Sequence, residues 1–229
     1  FHRISGFVSL NFFRDLFGFD IYPGLEHKTE FFKEDTKLYG ILFDLPMAYL
    51  EKKFSLNDSQ EFYYLRHFSN FFIFYISSIF FYLTLIRRFN ALLSLIGLLF
   101  LILSPRIFAD SFYNLKDSVF LSFFIISLYF SIRFIDQPSY KNALLSALTC
   151  SLSVGIKILG IISPFIVIVF FCLQFIDSKS FLKKNISILA FFILLLISFT
   201  ILFWPYLWSD PLSNFIKAII HFSSQPWPG

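Results

Sequence analysis

Residues 68–86 read FSNFFIFYISSIFFYLTLI and end on Arg87-Arg88. No side chain in the stretch is charged, and its length is close to the ~20 residues that cross a bilayer as a helix. Five more apolar segments follow, at about 91–104, 118–132, 142–156, 158–176 and 186–203. Together they predict an all-α fold, a polytopic transmembrane helical bundle. Several are shorter than a comfortable span and adjoin polar turns, which suggests helices ending below the membrane surface around a cavity. Composition agrees. Of 229 residues, 57% are hydrophobic, 22% aromatic and 15% charged, with mean hydropathy +0.71. A soluble domain of this size has too much surface for its core to hide 37 Phe. Soluble, disordered, collagen-like and disulfide-stapled classes are excluded.

Ahead of the spans, residues 1–13 are apolar but short, and 14–67 form the one long polar stretch, with ten acidic residues against seven basic. This is expected to be a long outer first loop. Within it, 37–54 mixes apolar and charged residues and suits an interfacial helix, with Pro46 near its start or a kink. Residue 1 is Phe and the chain stops at Gly229, which reads as a piece of a longer polytopic protein, one partial transmembrane domain over 1–229. Cys150 and Cys172 lie in apolar runs and are expected to be small packing residues.

Charge sets the orientation. Alternating the spans puts the loops 87–90, 133–141 and 177–185 on one side. They carry Arg87, Arg88, Arg133, Lys141, Lys179, Lys183 and Lys184 against Asp136 and Asp177. The positive-inside rule makes that side cytoplasmic. Residues 14–67, 105–117 and 204–229 then face outward, from a multi-pass protein of the inner (plasma) membrane and cell envelope.

The densest polar cluster lies on that outer side, SPRIFADSFYNLKD over 104–117. Arg106, Asp110, Asn114 and Asp117 are spaced 4, 4 and 3, so one helix face would carry all four. Arg106, Asn114 and Lys116 suit a pyrophosphate or sugar hydroxyls, and the carboxylates of Asp110 and Asp117 suit proton transfer or a cation. A divalent cation is the one cofactor this turn leaves open, and no metal is identified. The bland reading of Asn114 and Asp117 is an N-cap and N3 pair for the next span. Lys157 sits in Ser153-Val-Gly-Ile-Lys157-Ile-Leu-Gly160 between two apolar segments. An ammonium there calls for an anionic partner such as a lipid phosphate. Snorkelling from a tight turn is its rival. His2 and Arg3 would fall just after a preceding span on the outer face. His67 reads as an interface residue. Trp204, Pro205, Tyr206 and Trp208 read first as an interfacial anchor and second as a sugar-pocket lining. No Walker loop, GxGxxG, HExxH or CxxC occurs, and the basic residues sit mostly on the cytoplasmic edge, so nucleotide chemistry and nucleic-acid binding lack support.

The order of these features resembles the C-type (GT-C) integral-membrane glycosyltransferases, most of all the bacterial relatives of protein O-mannosyltransferases and the lipid A aminoarabinose transferase. The features are a long outer loop with an interfacial helix, Ser-Pro-Arg…Asp…Asn-x-x-Asp before a span, Gly155-x-Lys157-x-x-Gly160 after another, and FWPYLW at 203–208. The resemblance implies hexosyl or pentosyl transfer from a polyprenyl-phosphate-linked sugar to an acceptor, as yet unidentified, on the outer, periplasmic face. It matches Asp110 and Asp117 to an acidic position of the second outer loop and Lys157 to a lysine that meets the lipid phosphate. It also implies an acidic pair just ahead of a segment like Phe1-His2-Arg3. Asp15 and Asp20 stand too deep in the loop for that part, so this piece is expected to lack the principal carboxylate. Two rivals use the same residues. A transporter or flippase of a lipid-linked or anionic substrate would employ Lys157 and Arg106, but no internal repeat is evident. A structural subunit would tolerate neutral replacement of Asp110 and Lys157.

Overall fold

The computed structural model describes residues 41–56, 58–177 and 179–224, without the side chains of 59 and 175–184. Among the described residues there is no strand, and the α-helices run in chain order. They are α1 (Asp44–Lys53), α2 (Ser59–Ile86), α3 (Ala91–Leu103), α4 (Pro105–Tyr113), α5 (Asp117–Asp136), α6 (Tyr140–Ile156), α7 (Ile162–Asp177), α8 (Lys179–Phe203) and α9 (Pro211–Ser224). Short 3₁₀ turns, Ile158–Ile161 and Pro205–Leu207, lead into α7 and α9. All-α architecture is as the sequence predicts. Three helices are long and apolar enough to cross a membrane: Gln60–Ile86, Asp117–Asp136 and Asn185–Phe203. α3 and α4 together are apolar enough for a further span but meet at a 60° bend, the geometry of a broken span or a re-entrant loop. Ser104 is extended there and Pro105 occupies the first position of α4, where its missing N–H costs no helical bond.

The helix at the centre is the least apolar of those formed by the apolar segments. α6 packs most heavily against α5 and α8 and buries Ser146, Ala147, Thr149, Cys150, Ser151 and Ser153. Without a hydrophobic force between helices in lipid, small residues let backbones approach and hydroxyls bond across. Ser131 of α5 lies 3.2 Å from Ser146 and 3.4 Å from Cys150, and Ser163 of α7 donates to Cys150 at 3.3 Å. Nearer the basic end, Phe134 stacks at a tilt on Phe171 and Phe192, with centroids 5.1 and 5.3 Å away. Large apolar side chains instead point outward, Phe100 and Leu103 of α3 being 77% and 69% exposed. That surface suits lipid and not water. Of the cysteines, Cys150 packs inside as expected, while Cys172 faces out.

Charges close both ends. Arg87 and Arg88 after α2 donate to the two oxygens of Asp136 at 3.2 and 2.6 Å, tying α2 to α5. At the opposite end the first helix departs from expectation in two ways. α2 starts at Ser59, nine residues before the expected span, because the charges there are satisfied within the fold. Arg66 spans Glu51 at 2.6 Å and Asp44 at 3.0 Å. The expected interfacial helix forms as α1, but it turns Phe43 and Met47 inward onto Val119 and Ile156 instead of laying an apolar face outward. Pro46 sits in its first turn, as expected.

Arg66 is therefore the bolt that docks α1. The Glu51 side chain is only 7% exposed, and a buried charge stripped of its partner costs about 3 kcal/mol. Arg66→Met is expected to speed tryptic cleavage after Lys52 and Lys53 in detergent by more than about tenfold, with the α5–α6 region still protected. Unchanged cleavage would mean that apolar packing alone holds α1.

Candidate functional site

The turn between α4 and α5 is organised by Asn114. Its own N–H closes α4 on Asp110 O at 2.9 Å. Its backbone then leaves the helix (φ −87°, ψ 87°), and its Oδ1 accepts the N–H groups of Lys116 at 3.3 Å and Asp117 at 2.9 Å. Its Nδ2 donates to Asp117 Oδ2 at 3.2 Å. Asn114 thus ends one helix and caps the next, so the capping reading is correct as far as it goes. The single helix face expected to carry Arg106, Asp110, Asn114 and Asp117 does not exist, because this break divides them between α4 and α5. Leu115 anchors the turn in the same apolar cluster that holds Val119 and Phe120.

Lys157 meets this turn from the other side. It ends α6 in an extended conformation (φ −142°, ψ 138°), with its N–H on Ser153 O at 3.1 Å and its carbonyl accepting from Gly160 at 2.8 Å. That conformation swings the side chain out of the bundle, and Lys157 Nζ donates to Asp117 Oδ1. Gly155 and Gly160 flank the exit, and only Gly160 is there for a steric reason. A Cβ on Gly160 would stand 2.5 Å from Val154 N and 2.6 Å from Ser153 O. One on Gly155 would meet only the end of Leu42 at 2.9 Å and the atoms of Phe203 beyond 3.4 Å.

Beyond the ion pair a hollow of about 390 Å³ opens between the 158–161 turn and α9. Lys157 shares its lining with Ile158, Leu159, Ile161, Ile219, Phe222 and Ser223. It is an apolar hollow whose one lining cation, Lys157, is paired with the Asp117 carboxylate. α9 is positioned over it by a knot around Trp204, which is buried against Phe215, Val154 and Leu207. Asn214 Nδ2 fastens α9 to Tyr206 O at 2.7 Å. The interfacial-anchor expectation fails for Trp204, since the α9 helix covers it; Trp208 is more exposed, its Nε1 donating to Ile201 O at 2.8 Å. Burial pushes the Tyr206 phenol above its ordinary value.

The expected residues are only partly gathered. Asp117, Asn114 and Lys157 meet. Asp110 lies one turn back on α4, where Arg106 Nε stands 4.0 Å from its Oδ2. Arg106 is 93% exposed along its side chain and does not line the hollow, although its charge acts on Asp117. Lys116 is exposed beside Asp117. His2 and Arg3 lie outside the described residues. Among the described residues no three His, Cys, Asp or Glu stand close enough to hold a metal ion, so no cation site is assigned.

Two residues of α2 were not among the expected set. His67 bonds Phe112 O, and Asn70 Nδ2 reaches Asp110 O at 3.3 Å and Asn114 O at 3.4 Å. The signal for Asn70 is present in the sequence: it is the one carboxamide inside the span 68–86. A buried amide within a membrane segment demands a reason.

A helical bundle built for lipid, with an apolar hollow that Lys157 helps to line and Asp117 paired to that lysine, defines the class as a multi-helix membrane protein. The family model described as dolichyl-phosphate-mannose-protein mannosyltransferase matches residues 21–209, and the chain belongs to that family. It is thus a membrane glycosyltransferase, of a family that uses a polyprenyl-phosphate-linked sugar. Searches of curated proteins and of solved structures return no significant match.

Proposed function

We propose that the chain moves a sugar from a polyprenyl-phosphate donor to a hydroxyl acceptor at the face where α4, α5 and the 158–161 turn meet, and that this face is the periplasmic side of the inner membrane. The observation that carries the reading is the hollow itself. Its walls of Ile158, Leu159, Ile161, Ile219 and Phe222 suit a prenyl chain, and Lys157 stands where the phosphate would come to rest. A lipid-borne donor cannot leave the membrane, so its reacting carbon must lie near the rim. The charge asymmetry between the two ends supports the orientation: Arg87, Arg88, Arg133 and Lys141 gather at the end opposite Lys157.

In the transfer, the bond from the sugar's anomeric carbon to the phosphate oxygen breaks and a bond to the acceptor oxygen forms. Negative charge grows on the departing phosphate. A preorganised cation aimed at that charge stabilises the transition state more than the ground state. Lys157 supplies it, with Arg106 near enough to add to it. The acceptor proton passes to a carboxylate. Asp117 is engaged by Lys157 and Asn114, whereas Asp110 has Arg106 no closer than 4.0 Å, so Asp110 takes the proton. Asn114 holds the turn in register, Lys116 is assigned to the sugar or phosphate as the cation beside Asp117, and His2 and Arg3, outside the described residues, are assigned there by their expected place just after a preceding span.

The test is a transfer assay in membranes with radiolabelled polyprenyl-phosphate mannose. Asp110→Asn keeps the shape of α4 and removes the base. Its turnover is expected to fall by about 10² to 10⁴, the usual worth of general base catalysis, at unchanged expression. Activity within about twofold of the unaltered chain would strip Asp110 of this role. No transfer of any polyprenyl-linked sugar by the full-length protein would overturn the function.

A further inference from the structure

The α4–α5 turn needs a support that neither α4 nor α5 provides. The last carbonyls of a helix have no partner within it, and in a membrane segment they cannot rely on water. At the end of α4 His67 of α2 meets the carbonyl of Phe112, while Asp110 O and Asn114 O, which already accept the N–H groups of Asn114 and Ser118, take a second donor from Asn70. Asn70 is fully buried, and its Nδ2 reaches both Asp110 O at 3.3 Å and Asn114 O at 3.4 Å. Both neighbours are carbonyls that only accept, so the amide must present its NH₂ group there. Its Oδ1 then has no partner among the described residues. One turn earlier, His67 bonds Phe112 O, which fixes the proton on Nδ1, and its ring stacks on Tyr63 with centroids 3.7 Å apart. Phe71 of the same helix stacks on Phe112 at 4.9 Å.

We infer that Asn70 and His67 are positioning residues: they clamp the end of α4 onto α2 and thereby set where Asp110 and the Asn114–Asp117 turn stand relative to Lys157. The buried, unpartnered Oδ1 of Asn70 costs stability that an apolar residue of the same size would not. The NH₂ group is what the site gains in exchange. The inference rests on the transferase reading for its kinetic arm and on the clamp geometry alone for its structural arm.

Both arms use the full chain in detergent. Asn70→Leu keeps the branched skeleton and removes the donor; His67→Phe keeps the stack on Tyr63 and removes the bond to Phe112 O. Hydrogen exchange is read at the amides of Asn114, Lys116 and Asp117, with the capped start of α6 at Ser139–Asn142 as internal reference. Each variant is expected to speed exchange at the turn about tenfold and leave the reference unchanged. With polyprenyl-phosphate mannose as donor, kcat per folded molecule is expected to fall about tenfold or more while the donor KM stays within about twofold. A merely structural pair would lower the folded yield and leave kcat per folded molecule alone, which would overturn the inference. So would a turn that stays protected in both variants. Should Asn70→Leu fail to fold, His67→Phe decides. A turn that loosens in a chain inactive from the start overturns the transferase reading and leaves the clamp standing.

Discussion

Lys157→Met is expected to leave the protein folded and nearly without transfer. Methionine keeps the unbranched stem along Ile158 and Ile219 and deletes only the ammonium. The Lys157–Asp117 pair is partly exposed, 25% and 56% by side chain, and such pairs contribute little to stability. The melting temperature should therefore barely move. Transfer should fall by about 10² to 10³, the typical effect of losing one preorganised group from a site of developing negative charge. A comparison with Asp117→Asn sharpens the result. If Lys157 serves only as the partner of Asp117, the two variants lose the same activity and the double variant loses no more. If Lys157 meets the phosphate, Lys157→Met is the worse of the two and also raises the donor KM, while Asp117→Asn keeps the ammonium and its donor affinity. Equal losses with an unchanged donor KM would remove the phosphate from Lys157. Lys157→Arg tests the geometry: its planar fork keeps the charge but not the compact, swivelling head, so partial activity is expected.

The ion pair has a consequence for the order of events. Asp117 and an incoming phosphate are rivals for one ammonium. With no donor present, Asp117 holds Lys157 in the lining of the hollow. A donor phosphate that takes over Lys157 frees one Asp117 oxygen to orient the acceptor, while Asn114 still holds the other and Asp110 keeps the part of base. Under the proposed function, binding of the donor thus prepares the acceptor side, by exchange of partners on one lysine.

Much of this was legible in the residues, for identifiable reasons. The six apolar segments correspond to α2, α3, α5, α6, the 158–177 stretch and α8, because hydropathy acts on every residue of a span at once. Errors gather where a charge is satisfied by something distant in sequence. Residues 59–67 read as loop because Glu61 and Arg66 stand there; they are helical because Arg66 pairs with Asp44 and Glu51 on a helix that packs alongside. The centrality of α6 has a signal in hindsight, its serines and alanines being too small and polar for lipid. Trp204 misled for the opposite reason: an aromatic cluster after a span reads as a surface belt unless the following helix is known to fold back over it. Within the site, Lys157 and Asp117 each stand out alone. Their meeting does not, since 40 residues separate them and only the packing of α5 on α6 closes the gap. Asn70 was hidden by the company it keeps, one carboxamide in a run of Phe and Ile.

Gly160→Ala should undo the site without touching any polar residue in it. The chain turns from α6 into the 158–161 segment so tightly that a methyl on Gly160 would press on the backbone at Ser153 and Val154. No rotamer relieves a clash with backbone, so the turn itself must move. The Lys157 carbonyl is bonded to the Gly160 N–H, and Lys157 begins the turn, so the displacement passes directly to the ammonium. A shift of about 1 Å in a reacting geometry costs on the order of 10²-fold in rate. Overpacking of this kind costs about 1–3 kcal/mol, so the melting temperature should fall as well. Gly155→Ala is the control: its methyl meets only the tip of Leu42, a side chain that can swing away, and both activity and melting should stay near the unaltered values. The two alanines differ by five positions and sit in the same motif. If they behave alike, the turn is soft, and Lys157 owes its position to Asp117 instead of to the backbone that carries it.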